Sequence, residues 1–486
     1  MLQTIRFGTD GVRESAGKWP IDVLGAQHIG MGVGQYLSQH YQRPKVLIGR
    51  DTRISGDMLS SALSAGLLSY GVDVVDAGVI TTAGVAYLTK RFPFNMGVVI
   101  SASHNPWTEN GIKLIGHDGF KLNDDIEKAV EGYINDARPS TIQEFGFLSY
   151  DPSLVETYIQ YLIAPFSRSG FNQLKIVLDC SNGAASAIAP RCFELMGSQV
   201  VAIHNQPTGK NINLGGGSEV VRAGQGDLIE RVIKEGANFG VAFDGDADRA
   251  VFVSETGVLV DGDYVLYMLG KYLKDKGQLT GNAVVTTEMA NGGLGQSLEQ
   301  EGIRTIYTQV GDKYVVREML THGYRVGGEQ SGHIIILDEN HTTGDGIYTA
   351  LYVAEMLLEM AAQGAPLSLD AARQGMTKLP QVIASARVSS KPDLTLLEDY
   401  GQQMEKIARE MGERVRVNTR YSGTEPLLRV MIQGGAEQSL GEIAQLAIRL
   451  CRSVQARTGD DGASIDVKDC MTGAKIDLAP YGVHNK

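Results

Sequence analysis

Three aspartates alternate in Asp244-Gly245-Asp246-Ala247-Asp248-Arg249 and make an oxygen cage suited to a hard divalent cation. A serine, Ser103, stands in the polar run Ile100-Ser101-Ala102-Ser103-His104-Asn105-Pro106. A serine hydroxyl is a weak nucleophile unless a base or a metal activates it. Once phosphorylated, it would supply the anionic oxygen that three carboxylates leave missing. The pairing points to phosphoryl transfer through a covalent serine.

Each motif has a plainer rival. Asp244, Asp246, Asp248 and Glu255 occupy the first, third, fifth and twelfth places of a calcium loop. That loop needs glycine at its sixth place, which is Arg249 here, and flanking helices where this pattern predicts strands. Magnesium, which keeps waters and a phosphate oxygen, suits the spacing better, with Arg249 offsetting negative charge; a solvated acidic turn is the alternative. Ser103 and His104 are neighbours whose side chains would point apart in an extended loop, which argues against a Ser–His hydrolase pair. Lys113 in Asn110-Gly111-Ile112-Lys113 could serve as acid or charge stabiliser, although an exposed lysine is commoner. Glu329 and Ser331 in Gly328-Glu329-Gln330-Ser331-Gly332-His333 suit sugar hydroxyls. Arg420-Tyr421-Ser422-Gly423-Thr424-Glu425 offers a guanidinium, two hydroxyls and a glycine-exposed backbone for a phosphate dianion, or an ordinary hairpin turn. No Walker-type loop and no H-E-x-x-H occurs, and Gly30-Met31-Gly32-Val33-Gly34 lies in a helical pattern.

The elements that must hold these loops read as α/β units, short apolar runs alternating with helical periodicity. Val46-Leu47-Ile48 predicts a buried strand, and Ile126, Val130, Tyr133 and Ile134 predict a helix near 124–137. A weak repeat is visible. Strand-like runs at 95–100, 238–243 and 324–327 lead into the Ser103, Asp244 and Glu329 loops, and a second series at 46–49, 176–179 and 283–286 precedes them. Three related α/β domains would each project a loop from an equivalent strand end. The last hundred residues read as a smaller α+β domain, and the tail from Thr458 shows no clear periodicity. Boundaries are expected near 150, 256 and 366.

At 486 residues several domains are expected, and 43% hydrophobic with 21% charged residues is ordinary globular composition. A net charge of −12 argues against broad nucleic-acid binding, so a phosphorylated ligand must be held by local arginines and lysines. Cys180, Cys192, Cys451 and Cys470 form no zinc spacing and read as free thiols of a reducing cytosol. Without a signal-like N-terminus or a membrane span, a cytoplasmic protein is expected.

Taken together, the loops resemble the α-D-phosphohexomutase superfamily, most closely its glucosamine-phosphate branch. Phe7-Gly8-Thr9-Asp10-Gly11-Val12-Arg13, the glutamine of Gly328-Glu329-Gln330-Ser331-Gly332-His333, Val310-Gly311-Asp312-Lys313-Tyr314-Val315 and Thr342-Thr343-Gly344-Asp345-Gly346 carry that likeness. The resemblance implies four domains around a central active-site cleft: three similar α/β domains with mixed sheets and a smaller C-terminal α+β domain. These would be a phosphoserine-loop domain (1–150), a metal-binding domain (151–256), a sugar-binding domain (257–366) and a phosphate-binding domain with a C-terminal extension (367–486). It implies interconversion of glucosamine 6-phosphate and glucosamine 1-phosphate through a phosphoserine and a sugar bisphosphate, which serves as intermediate and activator. Mannose or glucose phosphates, or a silent phosphosugar-binding regulator, are the alternatives. By the same resemblance, Ser103 with Asp244, Asp246 and Asp248 would hold Mg²⁺, and Arg249 would stabilise charge. Lys113, His104, Arg13 and His333 would serve proton transfer or charge stabilisation. Glu329, Ser331 and Lys313 would meet the sugar, and Arg420, Ser422, Gly423, Thr424 and Arg429 the non-reacting phosphate. The implied partner is a phosphosugar, with no nucleic acid or membrane; a homodimer is admitted. Glu14 departs from the family's usual glycine, which puts the part played by Arg13 in question.

Overall fold

The protein is described by a computed structural model over residues 4–8, 10–138, 144–411, 415–422 and 426–477. Four sheets organise it. The first holds β1 (Val12–Ser15), β2 (Lys45–Arg50), β3 (Asp73–Val79), β4 (Met96–Ile100), β5 (Glu109–Gly116) and β6 (Leu148–Tyr150), in the order β1-β5-β4-β2-β3-β6. The second holds β7 (Lys175–Asp179), β8 (Gln199–Ile203), β9 (Phe239–Phe243), β10 (Ala250–Ser254) and β11 (Leu259–Val260), ordered β11-β10-β9-β7-β8. The third holds β12 (Ala283–Thr287), β13 (Arg304–Thr308), β14 (Val326–Gly328) and β15 (Ile334–Ile336), ordered β13-β12-β14-β15.

One arrangement recurs in all three. A central parallel pair, β2/β4, β7/β9 or β12/β14, is extended by an antiparallel neighbour, β5, β10 or β15. The repeat seen in the sequence is therefore a repeat of topology, and the three mixed α/β sheets match the expected fold class. The central strands are buried on both faces, as β4 and β9 show, so they read as unbroken apolar runs. Ser103, Asp244 and Glu329 follow β4, β9 and β14, the equivalent strand in each sheet. Ligand sites in α/β proteins gather at such strand ends.

Two helices position the loops. Thr82–Arg91 is capped by the Thr81 hydroxyl, which accepts from Gly84 N, so Thr82 stands in its first turn. Gly346–Ala362 is capped by the Asp345 carboxylate, and Ile347, Leu351, Val353, Met356 and Leu357 bury it on several sides. The predicted helix near 124–137 spans Asp124–Asn135.

The chain divides into two compact units, and the fourth sheet belongs to the second. That sheet holds β16 (Gln381–Arg387), β17 (Arg416–Tyr421), β18 (Leu427–Gln433) and β19 (Ile465–Asp469), ordered β17-β18-β16-β19, all antiparallel. The helix Leu440–Thr458 covers it with Ile443, Leu446, Ala447, Leu450 and Val454. The tail read as without periodicity contains a strand. Ile465 and Val467 alternate inward in β19 and are buried against that core, a two-residue signal too short to stand out between polar neighbours.

Candidate active site

The loop after β4 is strained and clamped. Ser103 has a left-handed backbone (φ 51°), as does Ala247 in the aspartate loop (φ 56°), a conformation that costs energy for residues with a side chain. Arg53 holds the serine loop: its guanidinium donates to the carbonyls of Ser103 (2.8 Å), Asn105 (2.9 Å) and Pro106 (2.6 Å), while its Nε pairs with Asp51 (2.9 Å). Asp51 also accepts from the Ser101 hydroxyl, whose oxygen in turn accepts from Ser103 N. The amide of Asn213 donates to the Ser103 and Asn105 carbonyls from the second sheet's side. The turn also brings the Ser103 hydroxyl to 3.3 Å from His104 Nδ1, against the expectation that these side chains point apart. That expectation assumed an extended chain, which Ser103 is not.

The hydroxyl of Ser103 donates to Asp244 Oδ2 at 2.5 Å. Carboxylate oxygens of Asp244, Asp246 and Asp248 lie within 4.8 Å of one another. Burial, and then Asp248 and Asp246, push Asp244 well above the ordinary carboxylate range. Oδ1 of Asp246 and of Asp248 are buried without a hydrogen-bond partner among the described residues. Converging carboxylates, orphaned oxygens and a serine oxygen at the rim fit a hard divalent cation. The loop is held in register by Thr82, whose hydroxyl donates to Asp246 Oδ2 (2.6 Å), and by Gly346 N, which donates to Ala247 O (2.9 Å).

Lys113, 3% exposed, faces this loop from β5, 2.9 Å from Asp246 and 3.0 Å from Asp10. Burial opposes its charge, but Asp10, Asp246 and Asp248 more than offset that and keep the ammonium protonated. It can donate a proton or neutralise charge; it is no neutral base. Arg13 lies opposite Gly111 in the β1–β5 pairing and bonds Asp10. Gly11 permits this approach: its φ is +81°, and a Cβ there would sit 2.4 Å from the Ile112 carbonyl. Glu14 is exposed on the strand, and its carboxylate accepts from Ser15 N. Strand alternation turns it from the face Arg13 uses, so the departure leaves Arg13 in place.

The other expected residues distribute unevenly. Arg249 pairs with Glu219 (3.1 Å) and approaches Asp248 (3.8 Å), and its backbone N–H donates to Asp244. His104 is lowered to about 4 by burial and then by Arg249, so it is neutral. His333 is buried between Asp248 (3.9 Å) and Asp312 (3.8 Å), with both ring nitrogens unbonded among the described residues. Glu329 accepts from Gly311 N, and Ser331 Oγ is buried without a described partner. Gln330, which marked the branch in the sequence, donates to buried Asp263 (2.9 Å) and braces the turn. Lys313 pairs with Asp124 (3.5 Å) on the half-exposed side of its helix. Arg420 and Arg429 oppose each other across β17 and β18, with Ser422 just beyond; Gly423 and Thr424 lie outside the described residues.

Sequence reasoning passed over Asp10, Lys121, Asp312, Asp51, Arg53 and Thr82. Asp10 and Asp312 stood inside quoted motifs, and Arg53 in the polar loop after β2. Apart from the Asp51–Arg53 and Asp10–Arg13 pairs, their partners lie tens to hundreds of positions away, so spacing carries no trace of them.

Gly245 gives a local test. A Cβ there would meet the Ser103 carbonyl at 2.5 Å and Ile212 at 2.8 Å. Gly245→Ala is expected to lower turnover at least tenfold and to cost about 1–3 kcal/mol by overpacking. A kinetic assay with a denaturant titration checks both; wild-type turnover would show that the two loops are not in contact.

Descriptions of phosphoglucomutase/phosphomannomutase match in succession: α/β/α domain I over residues 4–140, domain II over 156–257, domain III over 261–374 and the C-terminal domain over 378–449. In sequence the chain is similar to the phosphoglucosamine mutase of Brevibacillus brevis, 45% identical over 434 residues, 88% of this chain and 94% of the relative. It is likewise similar to that of Clostridium acetobutylicum, 43% identical over 444 residues, 90% and 96% of the two chains. In structure it resembles a phosphoglucomutase/phosphomannomutase family protein of Burkholderia thailandensis, with a TM-score of 0.78 at 22% identity, covering 96% of this chain and 100% of the other. It also resembles Aspergillus fumigatus N-acetylphosphoglucosamine mutase in complex with GlcNAc-6P and magnesium, with a TM-score of 0.64 at 17% identity, covering 94% and 96%. At such identities the structural likeness speaks for the fold.

Proposed function

The chain belongs to the phosphoglucomutase/phosphomannomutase family, and from that premise we propose that it is an isomerase interconverting glucosamine 6-phosphate and glucosamine 1-phosphate. The observation that carries the reading is the Ser103 hydroxyl on Asp244, with Asp246 joined to Lys113, in one buried cluster. In this reading the four matched segments supply, in order, the phosphoserine, the metal aspartates, the sugar contacts and the grip on the non-reacting phosphate.

Phosphorylated Ser103 donates to the free sugar hydroxyl: an O–P bond forms to the sugar, the Oγ–P bond breaks, and the hydroxyl proton passes to a nearby base. The resulting bisphosphate turns over, and its other phosphate returns to Ser103 by the reverse exchange. Lys113 and Arg249 neutralise charge on the moving group, and Lys113 is the protonated group placed to donate. Arg13 acts through Asp10, which it shares with Lys113. Neutral His104 is able to accept a proton, and His333, set between Asp248 and Asp312, serves proton transfer or charge stabilisation. Asp244, Asp246 and Asp248, with a serine phosphate oxygen, would hold Mg²⁺, which stabilises charge on the transferred phosphoryl. Glu329 and Ser331 meet the sugar, with Lys313 at the edge, and Arg420, Ser422, Gly423, Thr424 and Arg429 bind the distal phosphate.

Among the described residues no helix is long and apolar enough to cross a membrane. Cys180, Cys192 and Cys451 are buried free thiols, as suits the cytoplasmic place we assign. The test is turnover of glucosamine, mannose and glucose 1-phosphates by the phosphorylated, magnesium-loaded enzyme. The glucosamine ester is expected to give the highest kcat/KM. Preference for mannose 1-phosphate would overturn the substrate, and inactivity on all three would favour a silent phosphosugar-binding regulator.

A further inference from the structure

Lys121 lies eight residues past Lys113 and touches none of the aspartates of the metal loop in the ion pairs described, yet it completes a ring of ionisable groups that runs from Asp246 round to Asp248 of that loop. Its ammonium is 2.6 Å from Asp10 Oδ1 and 2.6 Å from Asp312 Oδ2. From Asp10 the ring passes to Lys113 (3.0 Å) and Asp246 (2.9 Å). From Asp312 it passes to His333 (3.8 Å) and Asp248 (3.9 Å). Asp10 belongs to the turn before β1, in the first sheet's domain, and Asp312 opens the helix Asp312–His322 beside the third sheet. Lys121 is therefore a bridge between two walls built on different sheets.

One buried hydrogen bond, from the Thr342 hydroxyl to the Gly119 carbonyl (2.7 Å), also joins them there. Beside the bridge lies a cavity of about 340 Å³, lined by Leu37 and Ile126 on one side and by Val316 and Leu320 on the other. Across an unfilled cavity dispersion gives little restoring force, so the joint leans on its polar links, the Lys121 bridge foremost. The further pairs across it, Lys313 and Arg317 with Asp124, are longer (3.5 and 3.4 Å), and their shared Asp124 is half exposed, so they add little. Burial opposes the Lys121 charge, but Asp10 and Asp312 together raise its pKa, so the bridge stays charged throughout the working range.

We propose that Lys121 is a positioning residue, a latch that keeps the Asp10 turn and the Asp312 helix closed around the bisphosphorylated sugar while it turns over. This rests on the mutase reading above. An intermediate that escapes leaves Ser103 without phosphate, and turnover then depends on bisphosphate supplied from solution. A loosened latch is seen as a raised requirement for that bisphosphate, with chemistry intact once it is bound. A residue needed only for folding would not move that requirement.

The experiment measures initial rates from glucosamine 1-phosphate at fixed Mg²⁺ while glucosamine 1,6-bisphosphate is titrated. In Lys121→Met the half-saturating bisphosphate concentration is expected to rise about tenfold or more, the scale of one charge-assisted hydrogen bond, with kcat at saturation within about twofold of wild type. Lys121→Arg, which keeps both pairings, is expected to stay close to wild type. Asp312→Asn weakens the same bridge without burying a methionine and must shift the requirement in the same direction, so the test survives if Lys121→Met does not fold. An unchanged requirement in either bridge variant, or a loss that saturating bisphosphate does not restore, would overturn the latch. A wild type that turns over no glucosamine phosphate would overturn the mutase reading itself.

Discussion

Ser103→Ala is expected to abolish turnover, by a factor on the order of 10⁴ or more, while the protein remains folded. The side chain removed is the only atom to which the transferred phosphoryl would be bonded. Alanine keeps the Cβ, so the left-handed backbone at this position is no worse served than before. The Arg53 and Asn213 contacts go to carbonyls and survive the change. What is lost structurally is the hydrogen bond to Asp244 and the longer contact with His104, about 1–3 kcal/mol in all. Two measurements decide it: the mutase assay at saturating bisphosphate and magnesium, and mass spectrometry of the peptide bearing Ser103. The wild-type peptide is expected to carry a phosphoryl group and the variant's to lack it. Near-normal turnover in the variant would remove the serine from the mechanism.

The second large effect is at Lys113. Lys113→Met leaves Asp10 and Asp246 facing each other with their shared cation gone, and both side chains are at least largely enclosed. Removing one partner from a buried ion pair typically costs about 3–5 kcal/mol, because the remaining charge is stranded. Activity is expected to fall by roughly 10³, since the proton donor and the charge neutraliser vanish together. Asp10→Asn in the same chain separates the two roles. It removes the carboxylate left facing Asp246, so the double variant is expected to recover part of the lost stability in a denaturant titration, yet turnover stays low. Coupled recovery of both would make Lys113 a structural residue only.

Much of this was visible in the chain before any fold was known. The three strand–loop repeats carried the architecture because a doubly buried strand must be an unbroken apolar run, and because the loop after it must be polar. Ser103 and the aspartates were legible because metal chemistry demands particular side chains at short spacing. The left-handed turn at Ser103 was not, since a serine there carries no mark of its φ. Nor was the role of Arg53: its partners are backbone carbonyls 50 or more residues away, and any residue type has a carbonyl. The strand in the tail was missed for a different reason, having only Ile465 and Val467 to announce it.

The guanidinium of Arg53, gripping three carbonyls of the serine loop, has a wider meaning for how such a reaction is run. A donor oxygen fastened this tightly cannot travel between two ends of a hexose, so motion is delegated to the small molecule. Freedom is withheld from the catalyst and granted to its guest, which must pirouette inside the enclosure to present first one terminus and then the other.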